Sequence, residues 1–181
     1  MIAPPVVRRV RTAEWREIRD LRIEAVGDPA AEIAFLTTVA QERAHDDDFW
    51  RHRAAGASLS DSAAQFIAED GSGWVGTVTV LLREEGTTDH VGRAVSHARA
   101  DIVGVYVSPR QRGTGLLGRL VDAASDWAEE RGVPELSLDV HRDNGRAQAA
   151  YRRLGFVPTG ETFVSTIGPE LVMVRPGRVG A

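Results

Sequence analysis

The stretch Val105-Tyr106-Val107-Ser108-Pro109-Arg110-Gln111-Arg112-Gly113-Thr114-Gly115-Leu116-Leu117-Gly118 combines residue types suited to holding phosphate. Its β-branched start reads as a strand, followed by a short basic glycine turn and the opening of an amphipathic helix. That order aims a helix N-terminus, free backbone N–H groups and the arginines Arg110 and Arg112 at one spot, a setting that binds phosphate groups. The same residues also fit a tight strand-to-helix connection with two solvated arginines. A P-loop needs Lys and Ser/Thr after its last glycine, and Leu116 and Leu117 stand there instead. Gly113, Gly115 and Gly118 match the dinucleotide spacing, but they follow a hairpin and lack a second βαβ unit, which disfavours dinucleotide binding.

The elements that must position this turn follow from periodicity. Pro5 to Val10 reads as a first strand. Thr12 is a candidate N-cap for a helix running through about Val26, with Trp15, Ile18, Leu21, Ile23 and Val26 on one face. Ala30 to Arg53 forms a second helical region, with Phe35, Leu36 and Val39 as an apolar patch and Asp48 as the cap of a further short helix. Ser58 to Ser62 reads as loop. Gln65–Glu69 and Gly73–Arg83 form a hairpin around Glu69-Asp70-Gly71-Ser72-Gly73. The second of these strands is apolar on both faces, as a central strand would be. Arg83 to Arg99 reads as a long mobile loop.

Asp101–Val107 is the strand that feeds the glycine turn, with Gly104 marking a bulge or a close backbone approach. The helix beyond the turn spans about Thr114 to Arg131, striped by Leu116, Leu117, Leu120, Val121, Ala124, Trp127 and Ala128. Leu136–Val140 is a fifth strand and Asn144–Leu154 a further helix closed by Gly155. The chain returns to strand from Phe156.

With 181 residues and no linker or repeat, the chain reads as one domain, residues 1–181, with a frayed tail over about 176–181. A net charge of −4 argues against general nucleic-acid binding. The absence of cysteine excludes disulfides and thiolate chemistry and suits the cytoplasm. No stretch approaches the roughly 18 apolar residues of a membrane span, and Met1 to Arg11 lacks the apolar core of a secretory signal.

Asp101 to Phe156 resembles the GNAT superfamily of acetyl-CoA-dependent N-acetyltransferases on two motifs. Arg110-x-x-Gly113-x-Gly115 matches that family's pyrophosphate loop. Asn144-x-x-Ala147-x-x-x-Tyr151-x-x-x-Gly155-Phe156 matches its downstream helix and strand start. The resemblance implies an α/β (α+β) fold, a mixed, mostly antiparallel twisted sheet with helices on both faces and a V-shaped splay between central strands. Here those strands are Asp101–Val107 and Leu136–Val140, with the pantetheine arm of CoA between them. Backbone groups of Val105, Tyr106 and Val107 would pair with its amides. Arg110, Arg112, Gly113, Thr114, Gly115, Leu116, Leu117 and Gly118 would hold the pyrophosphate, a Cβ at Gly113 or Gly115 pushing the backbone away from it. Asn144 and Ala147 would complete the CoA site, with Asn144 also a natural N-cap.

The activity this implies is transfer of an acetyl group from acetyl-CoA to a primary amine, without a metal. A lysine-like amine of pKa about 10.4 is neutral in only about one molecule per thousand near pH 7.4, so a base or a dry pocket must assist. The family's general acid corresponds to Tyr151, although Ala147, Ala150, Tyr151 and Leu154 also follow core helical spacing. Asp101 matches a position where some members carry a base. Glu69 is a comparable candidate, and His141, a histidine leaving a strand, fits either a base or a hydrogen-bonding surface group. Phe35, Asp46, Asp47, Asp48, Phe49, Trp50 and the loop over residues 83–99 are candidates to line the acceptor site. The expected partner is a small-molecule or peptide amine, with neither nucleic acid nor membrane, and the chain a monomer or homodimer. The alternative is a CoA-binding sensor module that transfers nothing.

Overall fold

The computed structural model describes residues 4–177, so the frayed end expected over Pro176–Ala181 lies largely outside the described residues. Strands β1 (Val6–Arg9), β2 (Ala63–Asp70), β3 (Gly73–Arg83), β4 (Arg99–Val107), β5 (Leu136–His141), β6 (Val157–Ser165) and β7 (Gly168–Arg175) form one sheet. Their order is β1-β2-β3-β4-β5-β7-β6. Neighbours run antiparallel except β4 and β5, which are parallel. The α-helices are α1 (Trp15–Val26), α2 (Val39–Ala44), α3 (Asp47–Leu59), α4 (Leu116–Glu129) and α5 (Gly145–Arg153).

Strand alternation divides the apolar residues between two cores. On one face, Val78, Val80, Ile102, Leu136, Leu138 and Val140 meet the stripe of α4, together with Tyr151 and Phe156. On the other, Ile67 and Tyr106 pack beneath Trp15, Ile18 and Leu21 of α1 and Trp50 and Ala54 of α3. The expected face of α1 shifts slightly: Ala25 is buried, whereas Ile23 is only half-buried. Asp46, not Asp48, caps α3, accepting from the Phe49 N–H at 2.8 Å. The helix runs on to Leu59, so the expected loop begins only at Ser60.

Two irregularities shape the sheet where it matters. A bulge between Thr77 and Thr79 faces Gly104, whose φ of +60° is a left-handed conformation that favours glycine. The β4–β5 ladder consists of Ala100↔Leu136 and Asp101↔Ser137 alone. Beyond it β4 continues against β3 and β5 against β7, and the two strands part. The expected V is therefore present between the expected strands.

The segment between β3 and β4 departs from expectation. It is not a free loop, because Asp89, its side chain fully buried, pins it through Arg93 (2.9 Å) and Arg99 (3.2 Å) and accepts the Val91 and Arg93 N–H groups. Arg93 reaches on to Asp139 of β5 at 2.7 Å, and Val95 is buried. Local charge pairs, with one from Arg93 across 46 residues to Asp139, hold what a polar, glycine-containing segment would otherwise leave mobile.

Candidate active site

The parting strands open into a cavity of about 790 Å³, within the range of small-molecule sites. Val105, Tyr106, Val107, Arg112, Gly113, Gly115, Leu116, Leu117, Gly118, Asn144, Ala147, Tyr151, Asp101 and Phe35 all line it. Eight expected site residues do not, Asp46, Asp47 and Phe49 at the start of α3 among them. Arg110 lies 3.6 Å from Asp70 at the β2–β3 turn, and Thr114 turns its hydroxyl onto the Gln111 carbonyl at 2.8 Å. Glu69 is bound by Arg8 (3.0 and 3.2 Å) on the β1 side of the sheet, away from the cavity. Asp48 is largely solvated and paired with Arg51, and Trp50 is wholly enclosed in the second core. Residues missed by sequence reasoning also stand in the wall, among them Arg22, Arg53, Asp139, Arg146 and Phe163, while His90 and Val91 come from the expected 83–99 segment.

The glycine turn makes an anion cradle from backbone alone. Gly113 and Gly115 have φ of +78° and +84°, and Gly115 is the N-cap of α4. Among the described residues, no acceptor is paired with the N–H groups from Gly113 to Gly118, and the first turn of α4 adds its dipole. An added Cβ at either glycine meets no protein atom within 4 Å, and it is the left-handed backbone that favours glycine at both positions. Arg112 is partly committed elsewhere: its Nε donates to the Val107 carbonyl at 2.9 Å and its guanidinium pairs with Asp28. It thus ties the end of β4 to the loop after α1. Asn144 caps α5, accepting from the Ala147 N–H at 3.1 Å.

Tyr151 and the carboxylates occupy opposite faces. Tyr151 belongs to the α4-side core, edge-on to Phe156 at 5.8 Å, and burial pushes its hydroxyl up to about 12. Since Leu138 and Val140 face that core, alternation turns Ser137, Asp139 and His141 the other way. Asp101 has both oxygens occupied, by Arg83 Nε at 3.1 Å and Arg99 Nε at 2.8 Å. Asp139 differs. Its Oδ2 accepts from Arg93 at 2.7 Å, while its Oδ1 is buried without a hydrogen-bond partner. Burial raises its pKa to about 6, with the negative charges of Asp101 and Asp89 adding to the rise and Arg93 opposing it. His90 also lines the cavity, where desolvation lowers its proton affinity and keeps it neutral at pH 7. A proton donor on one flank, a carboxylate titrating near neutrality on the other and an anion cradle at the mouth suit acyl transfer.

The profile of the acetyltransferase (GNAT) family matches residues 20–156. An aminoglycoside N(6′)-acetyltransferase type 1 of Stenotrophomonas maltophilia is 34% identical over 104 residues, covering 56% of this chain and 65%, just under two thirds, of that protein. A GNAT-family acetyltransferase of Streptococcus pneumoniae has the same fold, with a TM-score of 0.71 at 18% identity over 95% of this chain and 98% of its own. So does the yncA protein of Salmonella typhimurium, solved with its cofactor acetyl-CoA: TM-score 0.71, 18% identity, 99% of this chain and 97% of that one.

Proposed function

The chain belongs to the acetyltransferase (GNAT) family, and on that premise we propose that it moves an acetyl group from acetyl-CoA to the primary amine of a small molecule or peptide. The observation that carries this reading is the parting of β4 and β5 beyond Asp101↔Ser137, which opens directly beside the unpaired N–H groups of Gly113 to Gly118. Those groups and the α4 dipole suit the pyrophosphate of CoA. The edges of β4 and β5 facing the gap suit the amides of its pantetheine arm. A cysteine-free chain drawing on acetyl-CoA fits the cytoplasm.

Asp139 is the general base in this reading. It replaces Glu69, which lies outside the cavity, and Asp101, whose oxygens serve two arginines. An acetyl thioester supplies the chemistry: the amine nitrogen bonds to the acetyl carbon as the C–S bond breaks. Of the two protons the ammonium gives up, one passes to Asp139 and on to solvent. The other goes to the departing sulfur. Tyr151 stays protonated throughout the working range because its pKa stands at about 12. Against a thiol of pKa about 8.5 it serves best as a hydrogen-bond donor to the sulfur, since full transfer of its own proton runs uphill.

The test is a calorimetric titration with acetyl-CoA, CoA and NADPH, followed by thiol release across a panel of primary amines. Binding of acetyl-CoA with amine-dependent release is expected. Binding without release from any amine would identify a sensor module, and binding of NADPH alone would remove the reading altogether.

A further inference from the structure

The cavity wall on the α1–α3 side carries two guanidiniums, Arg22 and Arg53, and Glu42, outside the lining, pairs with the first of them. Arg22 of α1 donates from Nε to Glu42 Oε1 at 2.7 Å and from Nη2 to Thr37 Oγ1 at 2.8 Å. Thr37 in turn donates to the same Glu42 oxygen at 2.6 Å. Glu42 is almost completely buried, and burial opposes its charge while Thr37 and Arg22 hold its pKa down. It is a spent counter-ion. Arg53 of α3 also lines the cavity, yet among the described residues no carboxylate lies within ion-pairing distance of it; its described contact is the face of Trp50 at 5.7 Å. Desolvation first, and repulsion by Arg22 second, act against its charge, with Glu42 compensating only in part.

A half-buried guanidinium without a counter-ion is an unusual expense for a fold, because its donors are neither fully hydrated nor paired. Facing a cavity, such a group is ready to bind an anion, and its planar fork matches a carboxylate. The rest of the wall supports the same sign. Of its four carboxylates, Asp28, Asp101 and Asp139 already face arginines, and Glu170 accepts from Ser165 at 2.8 Å. Against these four stand five arginines, Arg22, Arg53, Arg112, Arg146 and Arg153, so the wall favours an anion over a second ammonium.

We propose that the acceptor is an amine that also carries a carboxylate, an amino acid in chemical class, with its carboxylate seated on Arg53 beside Arg22 and its amine toward Asp139. This rests on the reading of the cavity as an amine acetyltransferase site. It sets the chain apart from an enzyme for aminoglycosides, whose several ammonium groups would meet Arg22 and Arg53 as like charges.

The experiment compares each proteinogenic amino acid with its carboxamide, and with the aminoglycoside neamine, in the thiol-release assay of the full chain. The wild type should prefer the free acid by roughly 10- to 150-fold in kcat/KM, the value of a charge-assisted hydrogen bond. Arg53→Gln should abolish that preference and Arg53→Lys should keep part of it, while calorimetric acetyl-CoA binding reports that each variant is folded. Carboxamides or neamine used as well as the acids, or a preference that survives in R53Q, overturns the proposal and leaves the acetyltransferase reading standing. Thiol release with no amine at all overturns both.

Discussion

Asp139 and Tyr151 flank the strand gap from opposite faces, and their surroundings push both pKa values upward to different ends. Burial raises the Asp139 pKa to about 6, so the proposed base is competent above that pH and lost as the pH falls through it. We therefore expect kcat/KM to fall on the acid side with a one-proton limb near pH 6. Asp139→Asn should remove the limb and lower the rate by roughly a hundredfold. An unchanged limb in D139N would assign the proton to another group of the wall, such as His90. Tyr151 is legible in the sequence because the Asn144 to Phe156 motif marks it. Asp139 is not. In the alternating strand Leu136–His141 an aspartate reads as an ordinary outward position, and only the parting of β4 from β5 turns that outward face into a cavity wall. Arg53 escapes for a related reason: on a charged helix it resembles any solvated arginine until the fold sets it beside Arg22 and Glu42.

At the scale of elements, the glycine turn works through backbone conformation. Gly115 at φ +84° ends the turn and caps α4, so its N–H and those that follow share one direction. Alanine there meets no steric obstacle, but the left-handed conformation costs an L residue about 1–2 kcal/mol. Gly115→Ala should thus lower stability by about that amount in urea denaturation. It should weaken acetyl-CoA binding more than it weakens folding, because a return to negative φ re-aims the N–H groups. Equal binding in G115A would show that the cradle is not made by these amides. Strand and helix identities are legible here because Val105–Gly118 changes period from two to 3.6 within a few residues. Boundaries are less so. Asp46 outcompetes Asp48 as the cap of α3 although both are aspartates, because only the residue just before the first turn, with extended backbone, aims its carboxylate at the free N–H groups.

The whole molecule depends on a defect in its own sheet. A seven-stranded sheet would gain backbone hydrogen bonds by closing β4 onto β5, yet Ile102 to Val107 and Leu138 to His141 face each other across a gap. The bulge at Gly104 and the pairing of β5 with β7 hold the two strands on diverging courses. Gly104 is the one sign of this in either strand's own sequence, since parallel pairing joins segments separated by the whole of α4. The segment after β3 is equally opaque, because Asp89, Arg93 and Asp139 become partners only once the sheet exists. An open seam should be the part of the molecule that a ligand steadies most. At about a hundred times its dissociation constant a ligand adds about 2.7 kcal/mol to stability, and in a domain of this size each kcal/mol raises Tm by about 2–4 °C. Acetyl-CoA and CoA should each raise Tm by roughly 5–10 °C at that saturation, and NADPH should not. Hydrogen exchange should localise the gain to the edges of β4 and β5 that face the gap. A Tm rise with protection spread evenly over β1 to β3, and none along the seam, would place the binding energy elsewhere in the fold.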